Sequence, residues 1–552
     1  MYGFWVFLLS IAFAAAMAVV VAYSIHRAWC VLTWWRGQKG QLETHFEVPV
    51  AVPLFIGRSV GQAPGVTVQL PMFNEAYVAE RVIRAACAMD WPRDRLQIQV
   101  LDDSTDQTSA IVALCCRELA GEGYFIEHLR RPDRAGYKAG ALRDAMMRAK
   151  GDLIAIFDAD FVPPRDFLQR TIPAFFDREV GMVQACWSHL NEQMSQLTRT
   201  QAMLLDGHFL IEHTARHASD RWFNFNGTAG IWRREAIERA GSWQSDTLTE
   251  DVDLSYRAQL LGWRFVYLPT LQCPAELPCR MVDLRAQQWR WTAGSISAAR
   301  KLLRPIWQSE QPRHRQIEAT AHLLGPTVYV ALLALAVGLG PTLWLLGSAW
   351  AWLLVGLMLI AAIGSAATFY LAAAVARGRE PLAAAAHLPW LLMLAVGLSV
   401  SNTTAVVAAL LGRTGGFKRT PKVRATDKKN DWRRRMADLR TIAREDNGKR
   451  HAPPPTSPPT SPSASTDAAP EASFFNRPTG LVELGMSAWC ATWAVICLTW
   501  WPGLWAAALL GLFSAGFAWV GWRTLQENIA GAEHEPDDAI ASALSERRYD
   551  VR

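Results

Sequence analysis

The sequence LIAIFDAD at residues 153–160 decides the fold, because an apolar run of strand length ends there at two aspartates. Two further strand-like runs occupy residues 66–70 and 96–101, and the second of these also ends at an acidic pair. Short runs of this kind are typical of buried strands. Helical stretches at residues 77–89 and 109–120 separate them. Alternating strands and helices predict an α/β domain with a mostly parallel sheet.

Acidic residues stand where the strands end. Asp102 and Asp103 follow the second run, and Asp158 and Asp160 follow the third. Ligands bind open parallel sheets at the carboxyl ends of the strands, and carboxylate oxygens suit Mg²⁺ or Mn²⁺. The pattern predicts a ligand site at this edge of the sheet. Taken singly, each aspartate could equally be a helix N-cap or a turn residue.

Four motifs stand in a fixed order along the chain: Asp102-Asp103-Ser104, Asp158-Ala159-Asp160, Thr249-Glu250-Asp251 and Gln287-Gln288-Trp289-Arg290-Trp291. This set resembles the processive family 2 glycosyltransferases, in the cellulose synthase and cellulose-synthase-like branch. Residues 68–75, 99–106 and 225–230 look like the mannan and glucomannan synthase-like members. The resemblance implies a GT-A-type α/β catalytic domain joined to α-helical transmembrane segments.

The resemblance also implies how a nucleotide sugar would be bound. Asp160 and Asp158 would hold Mg²⁺ or Mn²⁺ against the diphosphate. Asp102 and Asp103 would contact the nucleotide, and Lys138 would lie near the diphosphate. The simpler explanation of Lys138 is a charge beside a helix start.

By the same resemblance, the remaining motifs would bind the acceptor sugar and activate its hydroxyl. Asp251 is the candidate general base, which must reach the acceptor hydroxyl and have a pKa tuned by its site. Glu250 is the nearby alternative, although a helix-start charge would also explain it. Trp291 would stack under the acceptor sugar, and Gln287 and Arg290 would meet the acceptor or the diphosphate. The implied reaction is a single displacement that gives a β-linkage.

A further match lies near the C-terminal part of the chain. Phe417-Lys418-Arg419-Thr420-Pro421-Lys422 resembles the FxVTxK gating loop of cellulose synthases, with Arg419 in place of valine. By that resemblance Phe417, Thr420 and Lys422 would contact the nucleotide sugar. An ordinary basic loop beside the membrane is the alternative.

Length and composition indicate a membrane protein. With 552 residues, of which 51% are hydrophobic, the chain is too long for one compact domain and too apolar for a purely soluble protein. Residues 4–25 are long and apolar enough to cross a bilayer. Basic residues follow this run and none precede it, which predicts a cytoplasmic C-terminal end. We therefore expect a multi-pass protein of the inner (plasma) membrane with a cytoplasmic catalytic domain.

The order of apolar, basic and Pro/Ser-rich stretches, together with the motifs, predicts eight regions. They are a transmembrane anchor (1–40), the GT-A domain (41–292), an interfacial helix region (293–320), a transmembrane hairpin (321–378), an interfacial helix with a basic gating-like loop (379–450), a disordered Pro/Ser-rich linker (451–478), a second hairpin (479–523) and a cytoplasmic tail (524–552).

The apolar stretch at residues 388–411 is predicted not to cross the membrane. The segment after it, residues 413–450, holds 14 Lys and Arg against five Asp and Glu, and such loops stay inside. Polar residues from Ser399 to Thr404 interrupt the stretch, which suits an interfacial or protein-covered helix.

The resemblance implies a β-glycan synthase that polymerises a polysaccharide from UDP-glucose or GDP-mannose and translocates it. Its partners would be the donor, the growing glycan and membrane lipid. The net charge of +6 shows no nucleic-acid-binding footprint. The nine cysteines lack metal-ligand spacing and are interpreted as structural thiols. A transferase that adds one sugar to a lipid is the alternative, and a non-enzymatic scaffold would require a missing acidic motif.

Overall fold

The computed structural model describes residues 2–38, 63–346, 348–413, 480–499 and 503–533. Strands in these residues are β1 Val66–Met72, β2 Leu96–Asp102, β3 Phe125–Arg130, β4 Leu153–Ile156, β5 Val180–His189, β6 Gly230–Arg233 and β7 Arg264–Ala275. They form one sheet in the order β3-β2-β1-β4-β6-β5-β7. β6 is antiparallel to β4 and β5, and the other pairs are parallel. The predicted α/β fold with a mostly parallel sheet is confirmed.

Helices surround the sheet and extend beyond it. Helix α1 Tyr2–Gln38 comes first. Among the strands lie α2 Ala79–Cys87, α3 Thr108–Gly121, α4 Tyr137–Met146, α5 Phe167–Thr171, α6 Gln196–Asp206, α7 Thr214–Ala218, α8 Arg234–Arg239 and α9 Glu250–Leu260. A π-helical segment, Gly207–His213, joins α6 to α7. After the sheet follow α10 Met281–Gln308, α11 Arg313–Leu324, α12 Thr327–Leu346, α13 Ala349–Ala376, α14 Pro381–Ala385, α15 Leu388–Leu410, α16 Leu481–Leu498 and α17 Leu504–Glu533.

The core has two layers, one on each face of the sheet. Val68 packs with Val82 of α2 and Val112 of α3, whereas Ile154 packs with Leu142 of α4 on the other face. Central strands covered on both faces are buried throughout, as all seven residues of β2 are. This arrangement leaves the carboxyl ends of the strands as the open edge.

A polar ladder is buried between β1 and β2. The Thr67 hydroxyl donates to Gln97 Oε1 at 2.8 Å, and Gln69 Nε2 donates to Gln99 Oε1 at 3.1 Å. The pairs meet because the two strands are parallel and in register. Their hydrogen bonds offset part of the cost of burying polar groups, so alternating polar residues occur here in a strand with no solvent-facing side.

Helix α10 begins earlier than predicted. The interfacial helix was expected from residue 293, but α10 starts at Met281, so the Gln287–Trp291 motif lies within it. On one side of α10 the Trp289 indole donates to Thr404 Oγ1 of α15 at 3.3 Å. Arg285 forms a buried ion pair at 2.5 Å with Glu483 of α16 and donates to Thr524 of α17 at 3.1 Å. The catalytic domain and the apolar helices are therefore joined through α10.

Six helices in the described part of the chain are long and apolar enough to cross a membrane: α1, α12, α13, α15, α16 and α17. The first hairpin was expected from residue 321, but α11 occupies residues up to Leu324 and α12 starts at Thr327. The second hairpin was expected to end at residue 523, but α17 continues to Glu533.

Helix α15 satisfies the length and composition of a span, so six candidates stand against the five crossings predicted. Its polar residues Ser399 and Asn402 are fully buried. Arg300 of α10 caps its last turn by donating to the Ala409 carbonyl at 2.6 Å. The interfacial placement of this helix stays a prediction. The gating-like residues Phe417, Thr420 and Lys422 and the linker at 451–478 lie outside the described residues.

All nine cysteines are unpaired thiols, eight of them buried. Burial raises the pKa of Cys87, Cys115 and Cys116 to about 12. These three thiols therefore stay protonated and unreactive at neutral pH, in agreement with the predicted structural role.

Candidate active site

A cleft opens at the carboxyl ends of β1, β2 and β4, between the sheet and α10. It is lined by nine of the residues predicted from the sequence: Asp103, Lys138, Asp158, Asp160, Glu250, Asp251, Gln287, Arg290 and Trp291. They come from segments spread along the chain from Asp103 to Trp291, and the sheet topology brings them together, since parallel strands end at one edge.

Asp158 and Asp160 stand in a turn directly after β4. The Asp158 N–H donates to Thr228 Oγ1 at 2.9 Å, and the Phe161 N–H donates back to the Asp158 carbonyl at 3.0 Å. Arg81 of α2 donates to the Asp160 carbonyl at 3.2 Å. The chain thus leaves strand geometry at this point, and both carboxylates line the cleft.

Lys138, at the start of α4, lies among the carboxylates. Its ammonium is 2.6 Å from Asp158 Oδ1 and 3.9 Å from Glu250 Oε1, and it donates to the Gly227 carbonyl at 2.9 Å. Burial lowers the pKa of Lys138, but the negative charges of Asp158 and Glu250 outweigh burial and raise it overall. The side chain therefore carries a positive charge inside the cleft.

Glu250 and Asp251 open helix α9. Burial and the neighbouring charge of Glu250 raise the pKa of Asp251 to about 7, and Lys138 opposes that shift. A carboxyl group with such a pKa can exchange a proton near neutral pH. The Asp251 carboxylate also accepts from the Val252 N–H at 2.9 Å, which fixes its rotamer.

Gly227 faces the same two groups and was not predicted as a site residue. Its φ is +78°, and a Cβ built there would lie 3.1 Å from Asp251 Oδ2 and 3.5 Å from Lys138 Nζ. A side chain would therefore be strained by the backbone and crowded by the carboxylate. This glycine belongs to the stretch Phe225-Asn226-Gly227-Thr228-Ala229-Gly230. That stretch carries part of the family resemblance, but it does not by itself mark Gly227 as a site residue.

The two aspartates at the end of β2, Asp102 and Asp103, have different surroundings. Asp103 lines the cleft, and both its oxygens accept from Arg131, at 3.0 and 2.6 Å. Asp102 is 1% exposed and does not line the cleft. It accepts from Ser109, from His128 at 2.8 Å and from the Ser104 N–H at 2.8 Å.

These partners give Asp102 a structural position. Burial opposes its ionisation, but the hydrogen bonds from His128, Ser109 and Ser104 prevail and lower the pKa to about 2. Asp102 thus lies outside the cleft, and its carboxylate binds Ser104 in the loop after Asp103. A pair of adjacent aspartates does not reveal which one is buried, because the sequence does not show that β2 ends between them.

The motif on α10 presents one face to the cleft. Gln287, Arg290 and Trp291 are spaced as i, i+3 and i+4, so they lie on the same side of the helix, and all three line the cleft. Burial lowers the pKa of Arg290, and the charges of Glu250, Asp158 and Asp251 oppose that shift. An arginine nevertheless keeps its proton in proteins.

Further residues line the cleft without a sequence signal. Trp187 and His189 lie at the end of β5, and Glu276 follows β7. Glu276 is 4% exposed and pairs with Arg81 at 2.7 Å. These side chains belong to no short motif, and only the pairing of β5 with β7 brings them to the site.

The comparisons with known proteins agree with this geometry. The sequence profile described as "Glycosyltransferase like family 2" matches residues 64–294. Over 255 residues the chain is 45% identical to glucomannan 4-beta-mannosyltransferase 2 of Arabidopsis thaliana, covering 45% of this chain and 48% of that protein. Over 244 residues it is 45% identical to probable glucomannan 4-beta-mannosyltransferase 3 of Oryza sativa subsp. japonica, covering 43% and 44%. The chain thus spans about half the length of the curated relatives that it matches.

Among solved structures the chain is similar to the mannosyltransferase PcManGT from Pyrobaculum calidifontis, in complex with GDP-Man and Mn²⁺. That similarity has a TM-score of 0.43 and 22% identity, and covers 72% of this chain and 98% of the other. By the matched profile, the sequence relatives and the ordered motifs in one cleft, residues 64–294 are similar to family 2 glycosyltransferases.

Proposed function

We propose that this chain is a membrane-embedded inverting transferase that lengthens a β-linked glycan, and that the sugar it transfers is mannose. The observation that supports the reaction is the position of Asp251 in one cleft with Asp158, Asp160 and Trp291. The names of the relatives, glucomannan 4-beta-mannosyltransferases, support the sugar.

In the proposed reaction, Asp251 accepts the proton of the acceptor hydroxyl. The hydroxyl oxygen forms a bond to the anomeric carbon of the donor while the bond from that carbon to the diphosphate breaks. One displacement inverts the configuration, so an α-linked donor gives a β-linked product. The raised pKa of Asp251, about 7, suits a general base working near neutral pH.

Asp158 and Asp160 would hold a divalent cation in this reaction. Within the described residues no cluster of three or more His, Cys, Asp or Glu side chains is arranged to hold a metal. Two carboxylates nevertheless fit Mg²⁺ or Mn²⁺, because these ions take their remaining ligands from phosphate and water. A bound cation supplies positive charge to the leaving diphosphate. The Lys138 ammonium, 2.6 Å from Asp158, adds a second positive charge on the same side.

The α10 face would bind the acceptor. The indole of Trp291 offers an apolar platform to the CH face of a sugar ring, and Gln287 and Arg290 on the same face carry hydrogen-bond donors. We propose that Asp103, with its Arg131 partner, contacts the nucleotide instead of Asp102. Glu250, 3.9 Å from Lys138, would keep that ammonium in place and raise the pKa of Asp251.

We propose a multi-pass location in the inner membrane with the cleft in the cytoplasm. Arg36 in the last turn of α1 supports this orientation, because basic residues follow the cytoplasmic ends of spans. The packing of α10 against α15, α16 and α17 brings the acceptor face next to apolar helices, which supports transfer of the lengthening glycan into the membrane part of the protein.

The test uses the full chain in lipid nanodiscs with radiolabelled GDP-mannose or UDP-glucose, and Asp251→Asn as the inactive control. We expect an insoluble labelled product from GDP-mannose that endo-β-1,4-mannanase degrades, and a loss of about 10²- to 10⁴-fold in the control variant. Label incorporated only from UDP-glucose into a cellulase-sensitive product would overturn the sugar. A chloroform-soluble product would show a glycolipid transferase, and no incorporation from either donor would refute the proposal.

A further inference from the structure

A chain of buried and half-buried polar side chains lies directly behind the loop that carries Gly227. The Asn226 amide contacts two imidazoles of the π-helical segment, with Oδ1 2.6 Å from His213 Nε2 and Nδ2 2.9 Å from His208 Nε2. Its backbone N–H donates to Gln184 Oε1 of β5 at 3.0 Å. Three groups thus hold one asparagine at the rim of the cleft, which Asn226 also lines.

The chemistry of these groups fixes the direction of every hydrogen bond. His208 Nδ1 lies 3.2 Å from a Glu212 carboxylate oxygen, which can only accept. A neutral His208 therefore donates from Nδ1 and accepts at Nε2 from the Asn226 amide nitrogen. The Asn226 oxygen is then left to accept from His213 Nε2. Burial lowers the pKa of His213 far below its usual value, and the nearby charge of Arg216 acts in the same direction, so this ring stays neutral.

Gln184 holds the other end of the same loop. Its amide nitrogen donates to the carbonyls of Thr228 and Ala229, each at 3.1 Å. Between Asn226 and Thr228, the Gly227 carbonyl accepts from Lys138 at 2.9 Å. The Gly227 peptide, whose carbonyl binds the Lys138 ammonium, is therefore held between Asn226 on one side and the Gln184 amide on the other.

We propose that Asn226 is a positioning residue for glycosyl transfer, whose amide, oriented by His208 and His213, seats the Gly227 carbonyl against Lys138 and keeps the loop clear of Asp251. This inference rests on the proposed function and gives Asn226, with His208 and His213, a role in that reaction. Asn226 acts through Gly227 and Lys138, and it takes no proton from the acceptor.

The inference predicts that an isosteric change of the amide is harmful because it reverses one hydrogen bond. In Asn226→Asp an oxygen would face the lone pair of His208 Nε2. Two hydrogen-bond acceptors would then face each other across this contact.

A second substitution repairs the mismatch. Glutamine at position 208 has an amide that can turn to present either its oxygen or its nitrogen. In His208→Gln alone the glutamine oxygen accepts from Asn226, so we expect less than about a threefold loss of turnover. In the double variant Asn226→Asp/His208→Gln the glutamine nitrogen donates to the new carboxylate.

The experiment measures nucleotide release at saturating donor by the full chain in nanodiscs for the wild type, both single variants and the double variant. All turnover numbers are taken relative to wild type under the same conditions. We expect Asn226→Asp to lose about ten- to a hundredfold, as a mismatch of one hydrogen bond costs. The double variant should recover turnover.

Thermal unfolding of each variant in the same nanodiscs provides the comparison with a purely structural role. A network that serves stability alone would lower the midpoint of Asn226→Asp and leave the turnover of the folded variant near that of wild type. That outcome, or a double variant no better than Asn226→Asp, would overturn the inference and leave the proposed function intact. A wild-type chain without transfer from any donor would instead refute the proposed function, and the inference with it.

Discussion

Replacing Gly227 by alanine tests how closely the catalytic loop approaches the proposed base. The added Cβ would lie 3.1 Å from Asp251 Oδ2, which is closer than ordinary van der Waals contact, so the carboxylate must move by a few tenths of an ångström. Lys138 Nζ would lie 3.5 Å from the same Cβ, at ordinary contact distance. The positive φ adds backbone strain of about 1–2 kcal/mol for a residue with a side chain.

Gly262→Ala is the matched control. Gly262 has a φ of +93°, and a Cβ there would meet nothing within 4 Å. Both variants should lose a similar free energy of unfolding, about 1–2 kcal/mol, because they share the backbone term. Only Gly227→Ala crowds the base. A misplacement approaching 1 Å costs a reaction about a hundredfold, so we expect a turnover lower by about ten- to a hundredfold.

The assay is nucleotide release at saturating donor, together with the nucleotide dissociation constant and the thermal midpoint of each variant. The expected result is normal turnover in Gly262→Ala, reduced turnover in Gly227→Ala and similar midpoints. Wild-type turnover in Gly227→Ala, or an equal loss in both variants, would refute the argument that this glycine makes room for Asp251.

Turnover of the wild type is expected to fall as the pH drops through about 7, because the base must be ionised and burial with Glu250 raises the pKa of Asp251 to about 7; a profile flat between about pH 5 and 8 would contradict this assignment. Asp160→Ala should abolish Mn²⁺-dependent nucleotide binding measured by calorimetry, and unchanged affinity would exclude Asp160 as a metal ligand. Phe417→Ala combined with Lys422→Ala should cut turnover in detergent at saturating donor if the loop closes over the nucleotide, whereas a basic anchor to lipid would leave that rate near normal. A cysteine introduced as Asn430→Cys should resist an impermeant thiol reagent added outside intact cells if α15 does not cross the membrane, and labelling from outside would reverse that topology.

The positions of the strands and of most cleft residues could be predicted because the same physical rule governs both. β4 is an apolar run, whereas β1 and β2 alternate apolar and polar residues, and each of the three strands ends within two residues of its predicted end. Parallel strands bring their ends together, so acidic residues at those ends were expected to share one site. Asp103, Asp158 and Asp160 do so.

The remaining features depend on contacts that a linear pattern does not contain. Asp102 is buried as the last residue of β2, where its carboxylate contacts Ser109 and His128. The π-helical segment presents His208 and His213 to Asn226, which lies 13 residues beyond His213. Hydrophobic periodicity reports which residues avoid water. It does not report which polar residues find partners inside.

The matched glycosyltransferase profile stops at residue 294, which is in the middle of α10. A fragment cut at that boundary would keep Trp291 but lose half of the helix that carries it. Its Trp289 and Arg285 would also lose their partners on α15 and α16, which would expose an indole and an unpaired guanidinium. A water-soluble excised domain is therefore an unsuitable target for inhibitor screening. Such work requires the intact chain in lipid, because α15, α16 and α17 hold the helix that carries Trp291.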